Sequence, residues 1–317
     1  MASIDTASRL ALASNCALKF KYQYVNEMRG KESGAFVLGN AVHDGLEAWF
    51  NLDQDERSAD GSLVSCMSDA WFAELPSGLS KKFKEELKWY RESEKVASAI
   101  KISRPNVANV SATKEYKSAD EVKKLKIASE KTEKWLAANE SSIRWSKTEP
   151  PIKTWQVMER IAGDLQPEFG NAPRPHMVED SFHFEYGGFV WRGRIDVYGL
   201  INTESGEIDP ILIDWKTSQN VPIPMEIFYQ STIYHMALTQ HFGLPLDKVH
   251  FRILRKKETV SLSIDPEKHY PMLVQRRKDL ESVINEQGIY FPSYSYNCKF
   301  CDFASNCESY LGLKEEA

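Results

Sequence analysis

The sequence predicts a fold of the α/β (α+β) class carrying a helical insertion, and three observations support this. Apolar residues recur at helical spacing through the first 50 residues, and the stretch from about 80 to 140 is rich in Lys, Glu and Ala. From about 150 the character changes: prolines punctuate the chain, then short β-rich runs begin.

Taken in order, a first helix is expected around Ser8 to Asn26. A second begins near Gly34, with Val37, Leu38, Val42, Leu46, Trp49 and Phe50 on its apolar face and His43 inside it. A polar connection and a short helix fill residues 53 to 75. The region from 53 to 150 reads as the insertion, with Trp89, Tyr90 and Trp135 interspersed. Pro150, Pro151, Pro167, Pro173 and Pro175 punctuate the chain before the β-rich runs. Val178 to Tyr186 and Phe189 to Ile201 flank Gly187-Gly188, a two-residue hairpin signal, and Ile208 to Trp215 follows, so three neighbouring antiparallel strands are expected. A helix from about Met225 to Phe242 ends at Gly243. Strands Lys248 to Arg255 and Thr259 to Ile264 come next, then a helix from Asp265-Pro266 to about Gln287.

Several classes are excluded by composition. Lys and Arg total 40 against 45 Asp and Glu, a formal net charge of −5, so this is no general polycation and any nucleic-acid contact must be local. No apolar run approaches the roughly 18 residues a membrane span needs, and the N-terminus lacks signal-peptide features, so a cytoplasmic protein with no membrane partner is expected. Five cysteines are too few and too unevenly placed for a disulfide scaffold.

Two apolar strands each deliver a carboxylate. Asp196 lies in Gly193-Arg194-Ile195-Asp196, and Asp214 lies in Ile213-Asp214-Trp215-Lys216-Thr217. Asp214 and Lys216 are two apart and project from one sheet face, where a hairpin partner can bring Asp196 beside them. Paired carboxylates suit a hard cation such as Mg²⁺ or Mn²⁺, and a neighbouring lysine can orient or deprotonate an attacking water. An Asp–Lys salt bridge at a strand end satisfies the same short pattern.

Four segments in order, Gly39-Asn40-Ala41-Val42-His43, Gly193-Arg194-Ile195-Asp196, Asp214-Trp215-Lys216-Thr217-Ser218 and Gln230-Ser231-Thr232-Ile233-Tyr234, resemble the RecB-like branch of the PD-(D/E)XK nuclease superfamily, which includes CRISPR-associated and phage exonucleases. The resemblance implies a nuclease core of mixed β-sheet flanked by helices, forming a single domain over residues 1–317. It implies that His43, Asp196, Asp214 and the backbone carbonyl of Trp215 hold Mg²⁺ or Mn²⁺, that Lys216 is the catalytic lysine, and that Gln230 and Tyr234 lie at the active-site edge near DNA. Gln230 and Tyr234, four apart on one helix face, are otherwise open to a capping or interhelical role. Arg194 and Arg192 are placed to meet a phosphate or to form surface salt bridges. Glu179 is a candidate supporting acid, and Glu47 either braces His43 or is solvated.

Cys298, Cys301 and Cys307 form C-x₂-C-x₅-C within an expected cysteine cluster at 288–310. The resemblance pairs it with Cys16, in Ser14-Asn15-Cys16-Ala17-Leu18-Lys19-Phe20, because the iron–sulfur members of the branch carry one cysteine before the core and three after it. Ala17 departs from the proline usual there. Four thiolates suit a [4Fe–4S] cluster or structural Zn²⁺, and the resemblance favours iron. Cys66 reads as a buried inert thiol.

Bases gather at Lys81, Lys82, Lys84, Lys88, Arg91, Lys95 and Lys101, at Arg252, Arg255, Lys256 and Lys257, and at Arg276, Arg277 and Lys278. They are either solvated faces or phosphate contacts, with Trp89, Tyr90 or Trp135 stacking on bases. The resemblance thus implies a metal-dependent exonuclease acting on DNA ends with a preference for single strands, in recombination, repair, or phage or CRISPR DNA processing inside a bacterial cell, with a recombination or CRISPR-type protein partner. A non-catalytic DNA-end-binding adaptor is the alternative. No G-x-x-x-x-G-K-[ST] occurs, so unwinding is expected from another protein.

Overall fold

The computed structural model describes residues 3–91 and 143–307, apart from residues 31, 77, 86, 89, 147, 202–204, 223, 296–297 and 300. Residues 92–142 of the expected insertion, with Lys95, Lys101 and Trp135, lie outside the described residues, as does Trp89. The chain divides into two compact units, one of Met1–Lys31, Glu47–Asp60 and Gln166–Ala317, the other of Glu32–Leu46 and Gly61–Leu165.

The first unit contains a five-stranded mixed sheet in the order β3-β4-β5-β6-β7. Its strands are β3 (Met177–Tyr186), β4 (Phe189–Ile201), β5 (Ile208–Lys216), β6 (Lys248–Ile253) and β7 (Glu258–Leu262). β3, β4 and β5 are antiparallel neighbours, as the hairpin signal foretold. Gly187 and Gly188 turn with φ of +62° and +81°, the left-handed backbone that a tight hairpin turn needs. β5 is central and pairs in parallel with β6. Residues 212–215 are buried on both sheet faces, which explains why β5 reads as an unbroken apolar run apart from its acid.

The parallel step from β5 to β6 requires a crossover, supplied by α7 (Pro224–Met236) and a π-helical extension over Ala237–Phe242. Gly243 ends that extension in the left-handed conformation. α7 packs against α1 (Ala7–Asn15), α8 (Pro266–Glu281) and β6. Its buried run from Ile227 to Met236 joins Leu10, Phe20, Trp191, Phe251 and Leu273 in the core of this unit.

The expected first helix over Ser8 to Asn26 is corrected. It breaks at Cys16, whose backbone is extended, into α1, a short α2 (Ala17–Phe20) and a π-helical turn over Lys21–Val25. The Cys16 N–H still caps the Leu12 carbonyl at 2.8 Å, so the break leaves that carbonyl satisfied while redirecting the chain. The late helix likewise ends as a π-helical turn over Ser282–Glu286.

In the second unit, α5 (Ser62–Glu74) packs through aromatic residues. Trp71 lies 5.6 Å from Phe83, 5.8 Å from Trp145 and 5.7 Å from Trp155, centroid to centroid. Two-residue strands β1 (Glu32–Ser33) and β2 (Ile143–Arg144) pair in parallel. α3 (Gly34–Phe50) forms where expected, and in the first unit α4 (Gln54–Ser58) is closed by a capping box between Asp53 and Glu56. The proline-punctuated stretch after 150, to which the sequence assigned no element, contains α6 (Pro151–Phe169). Proline is tolerated at a helix start, and Pro167 sits in the last turn. Ile152, Trp155, Met158, Ile161, Ala162, Leu165 and Phe169 are buried at helical spacing along it.

Candidate active site

The register of β4 on β5, Val197 opposite Ile213 and Tyr198 opposite Leu212, carries Asp196 and Asp214 to neighbouring positions at one end of the paired strands. Both are buried, at 6% and 1% exposure. The Asp196 Oδ2 accepts the Trp215 N–H at 2.8 Å, which fixes this carboxylate against the backbone of β5. Asp214 Oδ1 accepts hydrogen bonds from Gln230 Nε2 at 2.6 Å and Tyr234 OH at 2.9 Å. Asp214 Oδ2 meets the Lys216 ammonium at 2.7 Å.

Helical spacing on α7 sets up the remaining contacts. Gln230 and Tyr234 share one face, and Gln230 Nε2 also donates to Tyr234 OH at 2.7 Å. Gln230 Oε1 accepts from Lys216 Nζ at 2.9 Å. Asp214, Lys216, Gln230 and Tyr234 therefore form a closed ring of hydrogen bonds and charge in a largely dry setting, where electrostatic interactions are strong. The alternative capping role for Gln230 and Tyr234 is set aside, since both side chains are spent on Asp214.

The two protonated members respond to this setting. Burial pulls the Lys216 ammonium down, but Asp214, through charge and hydrogen bond, together with Asp196 and Glu226, outweighs it and holds the lysine above its ordinary range. Burial, then the charges of Asp214 and Asp196, push the Tyr234 phenol well above its ordinary range. Lys216 is thus a firmly held cation and Tyr234 a firmly held neutral donor at neutral pH.

Glu179 is a residue the sequence undervalued. It lies on β3 opposite Asp196, at the one point where the β3–β4 ladder skips between Val178↔Val197 and Asp180↔Ile195. Its φ of +52° is left-handed, which is costly for a residue with a side chain and marks a position the surroundings enforce. Its carboxylate is 7% exposed as a residue and comes within 4.8 Å of that of Asp196. Nothing in Val178-Glu179-Asp180 announces a left-handed backbone, so only the buried acid itself was available as a signal. Arg194, two residues before Asp196 and half-exposed, pairs with Glu179 Oε2 at 2.7 Å. Arg192 is tied to Asp5, at 3.4 Å through its side chain and 2.8 Å through its backbone N–H.

His43 lies in α3, within the unit of Glu32–Leu46 and Gly61–Leu165, one turn before Glu47. Trp215, expected to contribute its carbonyl, shows the N–H contact to Asp196 just described, while its indole is buried against Phe169 at 5.8 Å.

Cys16, Cys298, Cys301 and Cys307 line one cavity of about 40 Å³, together with Leu18, Tyr22, Pro292 and Phe303. Among the described residues no three cysteine sulfurs lie mutually within 4.8 Å. The N-terminal segment is tied to this region by Leu18 N–H to the Phe291 carbonyl at 3.2 Å and by Tyr22 OH to the Asn306 carbonyl at 2.8 Å. Cys66 is half-buried rather than buried, and burial followed by the Asp69 charge raises its thiol, in keeping with low reactivity.

Two of the arginines left open between solvated faces and phosphate contacts are engaged inside the fold. Arg277 is buried between the rings of Phe189 and Trp191, at 4.5 and 4.7 Å, and pairs with Glu281 at 2.9 Å. Arg252 is engaged by both oxygens of Glu168, at 2.6 and 2.8 Å. Their charges are used within the fold. Tyr90, expected as a stacking platform, accepts a hydrogen bond from Gln156 and is half-buried.

A mixed sheet thus delivers two buried carboxylates and a clamped lysine from adjoining strands, with a helix completing the acid's hydrogen bonds. The sequence model of the PD-(D/E)XK nuclease superfamily matches residues 6–117 and 106–308, and the chain belongs to that superfamily. Among solved structures, the crystal structure of SSO0001 is similar at 18% identity with a TM-score of 0.30, covering 59% of this chain and 81% of that one. No curated protein matches the chain. The superfamily is one of nucleases, so membership points to nuclease activity. Among the described residues no helix is long and apolar enough to cross a membrane.

Proposed function

We propose that the protein is a divalent-metal-dependent DNA exonuclease of the RecB-like type, acting on DNA ends with a preference for single strands. The observation that carries the reading is the Asp196–Asp214–Lys216 constellation completed by Gln230 and Tyr234. Two buried carboxylates offering oxygen ligands suit Mg²⁺ or Mn²⁺, and Asp214 Oδ2, which meets only the Lys216 ammonium, is the oxygen of this acid left for a cation. The resemblance adds His43 and the Trp215 carbonyl to this set. When bound, the cation supplies Lewis-acid stabilisation of charge on the phosphate.

The chain's own residues do the rest. Gln230 and Tyr234 fix the orientation of Asp214 by occupying its other oxygen. Lys216, held above its usual range, stays charged and donates hydrogen bonds toward a phosphate oxygen or an attacking water. Glu179 holds Arg194 beside the acids, where the guanidinium can meet a non-bridging phosphate oxygen.

The four cysteines are proposed to hold a [4Fe–4S] cluster. Their gathering around one cavity supports a shared group, and the resemblance favours iron over zinc. A role in recombination, repair, or phage or CRISPR DNA processing, alongside a protein partner, belongs to the same reading.

The exonuclease assignment is tested by incubating the protein in Mg²⁺ or Mn²⁺ with a linear single strand and with a covalently closed circle of the same sequence. The linear strand should shorten progressively while the circle survives. Cutting of the circle at the same rate would make the enzyme an endonuclease.

A further inference from the structure

We infer that the second unit carries its own track for single-stranded nucleic acid, a groove lined by Phe72, Leu75, Lys81, Lys84 and Lys88. The groove is open, encloses about 690 Å³, and is built wholly from residues of one compact unit. The inference rests on the reading of DNA as substrate and adds a strand-holding site to it.

Amphipathic spacing builds the groove. Phe83 and Leu87 are buried, at 1% and 6% exposure, and face the Trp71 and Trp155 core. Lys81, Lys84 and Lys88, offset by three and seven positions, fall on the outer side of the same helical stretch and are exposed. Among the described residues none of the three forms an ion pair, whereas the nearby acid Glu85 is held by Lys82 at 3.1 Å. Lys84 Nζ sits 4.6 Å over the centre of the Phe72 ring, a cation–π contact that holds the ammonium above the groove floor.

Three ammonium groups along about 10 Å of helix, above an apolar floor, match a strand that presents phosphates to one side and unstacked bases to the other. A duplex hides its base faces, whereas an unstacked base can reach the part of the Phe72 ring that is not packed on Phe83 and Trp155. The sequence alone placed phosphate contacts somewhere in 81–101 and gave stacking to Trp89, Tyr90 or Trp135. The structure instead singles out three lysines and brings Phe72, distant in sequence from that run, beneath them.

The test measures binding of a fluorescent 20-nucleotide single strand by anisotropy between 50 and 200 mM salt, in the full chain carrying Asp214→Asn so that cleavage does not interfere. Each phosphate contact to a single strand contributes about −0.7 to the slope of log affinity against log salt. Replacing Lys81, Lys84 and Lys88 together by Gln should flatten the slope by about 2, so the parent loses about 20-fold more affinity than the variant over that fourfold range. Replacing the three by Arg should keep the slope, which separates loss of charge from loss of fold. Cleavage of a dinucleotide by the Gln variant, with Asp214 restored, should match the parent.

An unchanged slope in the Gln variant overturns the inference. Tighter binding of a duplex of the same sequence through the same lysines overturns the single-strand assignment. A lysine-dependent slope in a parent that cleaves no DNA would refute the exonuclease reading and leave the groove standing.

Discussion

At the scale of single residues, the site is organised around one carboxylate. Asp214 receives two hydrogen bonds on one oxygen and a lysine on the other, so each partner can be removed separately. Tyr234→Phe takes away a buried donor and should destabilise the fold by about 1–3 kcal/mol, measured as a lower urea midpoint with unchanged slope. Lys216 and Tyr234 both hold their protons more tightly in the fold than their ordinary values. The stability they contribute is therefore complete below about pH 10 and is lost as pH rises through the higher folded values. Urea midpoints of the metal-free protein should fall above about pH 10, and the double variant Lys216→Gln, Tyr234→Phe should flatten that fall. An equally steep fall in the double variant would locate the titration elsewhere. Most of this site was legible in the sequence, because Asp-x-Lys on a strand and Gln-x-x-x-Tyr on a helix have fixed geometric meaning. Glu179 was not, since its role depends on a left-handed backbone and a skipped ladder pair that no local residue pattern encodes. Arg277 misled for the opposite reason: its charge looked available, but its aromatic neighbours come from β4, far away in sequence.

At the scale of elements, the strands were read well and the helices less so. Gly187-Gly188 and alternating apolar residues placed β3 to β5 to within a residue or two. The helix α6 was hidden by Pro151 and Pro167, which sit where a helix tolerates proline, at its start and in its last turn. The break at Cys16 was equally hidden, since extended backbone at one residue leaves little trace in helical periodicity. That break has a consequence for the cysteine site, because it separates α1 from α2 at the residue that lines the cavity with Cys298, Cys301 and Cys307. Protein purified without oxygen should carry about four irons per chain, and Cys298→Ser should lower iron content and thermal midpoint together. Stoichiometric zinc with no iron in the parent would remove the cluster from the account. Cys66→Ser, at a cysteine that does not line this cavity, should leave iron content unchanged.

At the scale of the whole molecule, a net charge of −5 and membership of a nuclease superfamily are reconciled by where charge is spent. Buried acids gather on the sheet, two conspicuous arginines are consumed in packing, and exposed lysines line a groove in the other unit. The central claim is that Asp196, Asp214 and Lys216 form a hydrolytic site, and it is tested most directly by comparing the parent with Asp214→Ala on end-labelled linear single-stranded DNA in Mg²⁺ or Mn²⁺. The account predicts that the parent degrades the strand and that the variant is slower by at least about 10²-fold, while a chelator stops the parent. Equal degradation by parent and variant, or none by either, would contradict it.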